Sequence, residues 1–447
     1  MKKFSILLVV LLSISMVACN TNPGTTTKPA ATTAGSTTTN NGTATTDPSD
    51  KTLSLITYLD PNGADLRGIA MKKIIEKFAT TTGYTVVADT VGWEQIEERV
   101  LMGYASGNSP DIAFVRSQSV QLEAQSKALI PLTELVADGW TEDSKDIMMW
   151  DTWGVVDGVK YCIPMAVYVS GMYVRTDILA QNGITKVPTT WAEFCEVGQK
   201  VTNSEHWGYI FAANASQPAS LDYIQPMVES YGGKILNKDG TAAFNSAEGI
   251  KAFKMIKDMV YVYKMTPTDV TTFAYADAND MYAAGRSVLH IDGSHKWSKY
   301  AKGVGAENLS VFAIPSETGA AGPTLTSGWA LGIPTKSSNP KMAWEFIKTF
   351  FSYDNAYMYS KEANEVAVRL SIYKKEPFYT NDSFGKTLSW FANYAAEKGS
   401  VPVGPITFNN LSEILSIAVQ DIVKDPNSNV ESIINKAAED YNKVVKK

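Results

Sequence analysis

Three cysteines and three histidines in 447 residues leave little for chemistry that needs a metal or an activated thiol. His206, His290 and His295 form no His-Glu-x-x-His unit and the cysteines no Cys-x-x-Cys pair, so no zinc-ligand spacing is present and no metal or other cofactor is expected. The nearest approach to a serine-hydrolase elbow, Gly103-Tyr104-Ala105-Ser106-Gly107, carries its serine one place late and has no triad around it. No catalytic residue is therefore assigned. Clustered positive charge is also missing: 40 Lys and Arg face 46 Asp and Glu, a net charge of −6. Without a basic stripe to meet phosphates, nucleic acid is excluded as a partner. Past residue 19 no apolar run approaches the roughly 20 residues that cross a bilayer. No internal repeat is present.

What the chain does have begins at its first residues. Lys2 and Lys3 precede an apolar run from Phe4 to Leu12, then Met16-Val17-Ala18-Cys19, the layout of an export signal over residues 1–18. A cysteine directly after an aliphatic and a small residue resembles the lipobox of bacterial lipoproteins, which implies lipidation of Cys19. From Asn20 to Asp50 there is no Leu, Ile, Val, Phe or Trp. Such a stretch cannot offset the entropy of folding and reads as a Thr-rich tether, with a coil reach on the order of 30 Å. One acyl chain anchors only marginally, so stable attachment needs two or more on Cys19. The expected location is the outer face of the cytoplasmic membrane. In an exported chain Cys162 and Cys195 either pair or remain two small buried hydrophobes, and the sequence leaves both open.

After the tether, about 400 residues suffice for two domains with a sizeable core. Lys51 to Asp60 reads as a strand running into a Pro61-Asn62-Gly63 turn. Leu66, Ile69, Ala70, Ile74 and Phe78 make a helical stripe stopped at Gly83. Tyr84 to Asp89, the stripe from Trp93 to Tyr104, and Pro110 to Val115 complete a strand-helix-strand-helix-strand series, hence parallel right-handed units. The pattern restarts near residue 160, where Pro164 is expected to stop one extended piece before a new strand over Val167 to Arg175. Thr190 and Glu193 form a capping box ahead of a helix that buries Trp191. Asn237 to Gly240 makes a hairpin turn, and Asn245 with Glu248 caps a further helix. From Met281 the chain is expected to return to the first lobe. Strands at Ser287 to Ile291, Leu309 to Pro315 and Ser327 to Pro334 follow, then a helix starting at Asn339-Pro340 that buries Trp344.

Four ordered segments carry a family likeness: Gly158-Val159-Lys160-Tyr161-Cys162-Ile163-Pro164 with Met172 to Leu179 and Pro188-Thr189-Thr190-Trp191; Met281 to Val288; Gly328-Trp329-Ala330-Leu331-Gly332-Ile333-Pro334; and Asn339 to Ile347. Together they resemble the family 1 extracellular solute-binding proteins, substrate-capturing subunits of ABC importers for sugars and oligosaccharides. Cys162 and Arg175 depart from residues common in the family, both in scaffold segments. The resemblance implies an α/β, two-lobed, periplasmic-binding-protein-like fold of maltose-binding type, with discontinuous lobes on a hinge. It places lobe 1 at 51–164 and 292–325, lobe 2 at 165–291 and 326–447, and crossings near Pro164, Ile291 and Pro315 to Ser327. It further implies a monomer that is no enzyme, a sugar or oligosaccharide ligand and an ABC permease as membrane partner.

A sugar presents C–H faces that stack on aromatic rings and hydroxyls that both donate and accept. With 10 Trp and 21 Tyr the chain is well supplied for stacking. Residues at strand ends or in the family's cleft segments are the candidates: Tyr58, Asp60, Trp93, Arg116, Gln118, Met165, Tyr168, Tyr223, Asp292, Trp297, Trp329 and Arg369. Trp93 and Tyr168 read equally as core, Asp60 as a turn residue, Arg116 as the partner of a carboxylate, and Arg369 as a brace of the cleft or of a helix end. Two alternatives stay open: capture of a peptide or organic anion, and a surface-anchored glycoside hydrolase, which would need two carboxylates about 5–10 Å apart.

Overall fold

The computed structural model describes residues 51–215 and 221–446; the export signal, Cys19 and the tether lie outside them. β1 (Thr52–Thr57) buries Leu53 and Leu55 and pairs in parallel with β2 (Thr85–Thr90) and β3 (Ile112–Arg116). The helix Leu66–Thr82 links β1 to β2; Asp65 caps it by accepting from Arg67 N–H, and Gly83, at φ 74°, ends it. Only glycine reaches that left-handed turn without steric cost. These elements match the strand-helix series expected from the apolar spacing.

After a hairpin of β4 (Val155–Val156) and β5 (Val159–Lys160), one 14-residue strand, β6 (Cys162–Arg175), runs through the middle of the molecule. Then come β7 (Trp207–Tyr209), β8 (Ser287–Gly293), β9 (Leu309–Phe312), β10 (Thr324–Gly332) and β11 (Gly399–Ser400). The sheet order is β2-β1-β3-β10-β6-β8-β7, with β9 beside β6 and β11 beside β10. β6 serves both halves. Its residues from Cys162 to Val169 pair with β10, whereas Ser170 to Arg175 pair with β8 and β9.

Pro164 does not stop this strand, contrary to expectation. The β6–β10 register shifts between Trp329 and Ala330, and the shift falls where Pro164 meets Ala330. A bulge accommodates the missing N–H donor. Gly328 lies just before it at φ 138°, where a Cβ would sit 2.0 Å from the Ala166 carbonyl oxygen. Any side chain there would force the two strands apart.

The pairings also redraw the lobe boundaries. β8 lies between β6 and β7, and β9 pairs with the same half of β6, so residues 281–312 stay in the second lobe. β10 pairs with β3, and the helices Pro340–Phe350 and Tyr353–Ala363 pack on Leu66–Thr82 and bury Phe346 and Tyr359, while Ser383–Lys398 lies against β6 and β10 with Phe391 6.2 Å from Tyr173. That stretch was expected in lobe 2 and belongs to the first lobe. Only Phe408–Lys424 and Val430–Val445 return to the second, burying Leu415, Ile434 and Tyr441 there. The chain thus crosses within β6, between β9 and β10, and after β11; Ile291 is no crossing.

Large aromatic rings fix the first core: Trp140 lies 5.5 Å from both Trp150 and Trp344, and Phe78 5.3 Å from Phe346. Each large side chain fully buried contributes about 1.5–3 kcal/mol. Trp191 is buried in the second core behind the capping box of Thr190 and Glu193. The next helix, Ala247–Tyr261, is capped by Ser246 and not by Asn245, whose side chain bonds Asn435. Cys162 and Cys195 are free, buried and in separate clusters, so the bonded alternative fails.

Candidate functional site

The two lobes face each other where β6 passes between them, and the residues there come from the ends of β1 and β8 and from within β6 and β10. In an α/β protein these strand ends are where binding groups collect. From the first lobe, Tyr58 follows β1 and packs its ring 4.8 Å from Trp329 of β10. Its hydroxyl lies 2.9 Å from that of Tyr168 on β6. Arg67, in the first turn of the helix after β1, is gripped by Asp65 through Nε at 3.0 Å and Nη2 at 2.6 Å. Its Nη1 turns toward the two tyrosine hydroxyls, at 3.4 and 3.3 Å. Burial pushes the Tyr58 hydroxyl up to about 12 against the pull of Arg67.

From the second lobe, Asp292 at the end of β8 is buried yet charged. It accepts from the Tyr300 hydroxyl at 2.6 Å, the Tyr275 hydroxyl at 2.8 Å and the Gly293 N–H at 2.6 Å. Burial works to raise its pKa, but His290, His295 and Lys296 around it outweigh that and hold the carboxyl well below the usual range. His295 stacks on Tyr168 with ring centroids 4.1 Å apart. Burial pulls its pKa down to about 3, so at neutral pH it is an uncharged ring. Tyr209, Phe211, Tyr223, Asn279, His290 and Asp292 line a cavity of about 40 Å³. This is far below the about 300–1,000 Å³ of a typical solute pocket.

The twelve expected residues separate into groups. Tyr58, Tyr168 and Trp329 meet at the first-lobe wall, and Tyr223 and Asp292 line the second-lobe cavity. Trp297 packs between Tyr173 and Phe384. Met165 is buried in the first core. Asp60 is exposed and accepts from Asn62 N–H, as a turn residue does. Gln118 accepts from Ser117 Oγ at 2.7 Å. Arg116 lies 5.6 Å from the Trp93 ring and 5.4 Å from that of Phe408, which packs on the second core. Arg369 is a brace: it bonds Asp146, Asp143 and the Phe351 carbonyl, tying the 143–147 segment to the first core.

Sequence reasoning passed over Arg67, Tyr275, His295, Lys296 and Glu365. Arg67, His295 and Lys296 lay within two to four residues of expected positions or caps, in turns whose direction no local pattern reveals. Glu365 is buried, its Oε1 lies 3.9 Å from Arg67 Nη1, and among the described residues its Oε2 has no hydrogen-bond partner. Burial pushes its carboxyl up to about 8, against Arg67.

Residues 73–384 match the family of bacterial extracellular solute-binding proteins. A Brucella abortus protein named as a binding protein is 24% identical over 361 residues, covering 79% of this chain and 83% of its own. A Deinococcus radiodurans protein named a probable ABC transporter-binding protein is 23% identical over 277 residues, 60% of this chain and 65% of that one. Among solved structures, an ABC transporter solute-binding protein of Thermotoga lettingae bound with α-D-tagatose superposes with TM-score 0.74 at 22% identity, covering 88% of this chain and 99% of that one. The cyclic α-maltosyl-1,6-maltose binding protein of Arthrobacter globiformis does so with TM-score 0.75 at 18% identity and the same coverage. The neighbours include a maltose-bound protein of Thermotoga maritima and a maltodextrin-binding domain of Bdellovibrio bacteriovorus bound to maltotriose. A β6 shared by two sheet halves, lobes built from discontinuous segments and a family match over most of the folded chain together make this chain a member of the bacterial extracellular solute-binding proteins.

Proposed function

We propose that the chain captures a sugar or oligosaccharide between its lobes and delivers it to the membrane subunits of an ABC importer, held to the outer membrane face through Cys19. The observation that carries this reading is the composition of the facing walls. Tyr58 and Trp329 on one side offer ring faces for sugar C–H surfaces, and Asp292 with its tyrosine and histidine neighbours on the other offers acceptors and donors for hydroxyls. Solved neighbours named for tagatose, maltose and ribitol support the ligand class. A solute touching both walls favours the closed arrangement only by the contacts it gains there, and closure is the signal a permease reads. Delivery and release need no bond to break. The relevant measurement is a melting-temperature screen across mono- and oligosaccharides, with the ligand recovered and weighed afterward. A raised melting temperature with unchanged ligand is expected; cleavage products, or no saccharide raising it, would reject the reading. For the anchor, the full chain should partition into detergent and the Cys19→Ala chain into water.

A further inference from the structure

Of the ten tryptophans nine are buried or half-buried, and the tenth, Trp93, is 49% exposed. It opens the turn ahead of the helix Ile96–Ser106 in the first lobe. The Arg116 guanidinium, at the end of β3, lies over the Trp93 ring at 5.6 Å from its centroid and over the Phe408 ring at 5.4 Å. Phe408 starts the helix Phe408–Lys424 and packs on the second core. One guanidinium thus faces an aromatic ring from each lobe. A cation over a ring is attracted to its face, so Trp93 is held in place while half of it stays in water.

A single exposed apolar residue needs no explanation of its own. What sets Trp93 apart is its neighbourhood. Arg116 is the cross-strand partner of Trp329 in the β3–β10 pair, and paired strands lie about 4.8 Å apart. Trp329 packs on Tyr58, and two residues before it on β10 Ser327 lines the second-lobe cavity with Asp292 and His295. Two residues along a strand cover about 6.5 Å, so Ser327 and Arg116 are about 8 Å apart on the backbone, before the Arg116 side chain and the Trp93 ring are added. A pyranose built of about 1.5 Å bonds is about 3 Å across its ring and about 6 Å with its exocyclic oxygens. One sugar ring therefore does not reach from the cavity to Trp93, whereas a chain of linked rings does.

We propose that the solute is an oligosaccharide and not a monosaccharide, with one ring at the Tyr58–Trp329 pair and a further ring stacked on Trp93. The proposal rests on the sugar-capture reading above and narrows it to ligands of two or more linked rings. A sugar face on Trp93 covers apolar area that is otherwise left in water. It does so on a ring that Arg116 already holds, so little ordering cost offsets the gain. Phe408 brings the second lobe to the same guanidinium, so a ring bound there gains contacts with the lobes together that it lacks with them apart. That difference is what a closing ligand must supply.

Isothermal calorimetry on the mature chain, with saccharide series of increasing length, tests this. The panel is glucose, mannose and xylose with the dimers and trimers of α-1,4-glucose, β-1,4-glucose, β-1,4-mannose and β-1,4-xylose. In the best series the trimer should bind about 10- to 100-fold more tightly than its monomer. Trp93→Ala should collapse that ratio, and Trp93→Phe, which keeps a ring for stacking, should retain most of it, with melting temperatures reporting that both variants fold. A monomer binding as tightly as its dimer and trimer overturns the proposal and leaves sugar capture standing. A ratio unchanged in Trp93→Ala also overturns it, because affinities that fall together at every length would make Trp93 and Phe408 a contact between lobes and not a subsite. Binding by no member of the panel sinks both.

Discussion

The two walls of the seam solve the burial of polar groups in opposite ways. In the second lobe, Asp292 keeps its charge because His290, His295 and Lys296 stand around it and outweigh its burial. In the first lobe, Glu365 has, among the described residues, an oxygen without a hydrogen-bond partner and keeps its proton instead. A carboxylate's state is decided by the donors the fold assembles around it, and burial depth alone does not predict it. The first wall, accordingly, contributes aromatic area and an Arg67 held by Asp65 and the Tyr58 and Tyr168 hydroxyls, while the second contributes a polar net around Asp292.

The largest effect in breaking this contrast is expected at Trp329. It is 6% exposed and wedged against Tyr58 and Phe114, so Trp329→Ala should cost about 3–5 kcal/mol in urea unfolding as well as weakening saccharide binding. Next comes Asp292→Ala, which takes a buried acceptor from the Tyr275 and Tyr300 hydroxyls and the Gly293 N–H, leaving Tyr300 its bond to Asn279; a loss of about 2–3 kcal/mol is expected by the same measurement.

The walls should also respond to pH with opposite signs. Glu365 has a folded pKa raised from 4.5 to about 8, so its contribution is complete below pH 4.5 and is lost as pH rises toward 8. His295 has a folded pKa lowered from 6.5 to about 3, so its contribution is complete above pH 6.5 and is lost as pH falls toward 3. Melting temperature against pH should flatten on its alkaline side in Glu365→Gln and on its acid side in His295→Phe. A single variant flattening both sides would contradict the separation of the walls. The smallest effect is expected for Trp93→Ala: the ring is 49% exposed, and its loss should change stability by no more than about 0.5 kcal/mol.

Much of the scaffold was legible residue by residue. Leu66 to Phe78 with Gly83, the Thr190–Glu193 box and Asn339-Pro340 each encode a helix end within a few positions, because caps and apolar spacing act locally. Trp191 and Trp344 were recognisable as core for the same reason. Of the candidate site, Tyr58, Tyr168, Tyr223, Asp292 and Trp329 could be named from the sequence as strand-end or cleft-segment residues. Pro164 misled because its local preference against a central strand was overridden by a bulge that only β10 creates.

Local order, then, was set by the amino-acid sequence on its own: which segments are helices and strands, and where they stop. The tertiary structure alone decided that β9 and β10 go to different lobes, that β6 spans both, and that Arg67 reaches the Tyr168 hydroxyl whose ring stacks on His295. Strand pairing and charge encounters join residues hundreds of positions apart, and their energies depend on distances that no window of sequence contains.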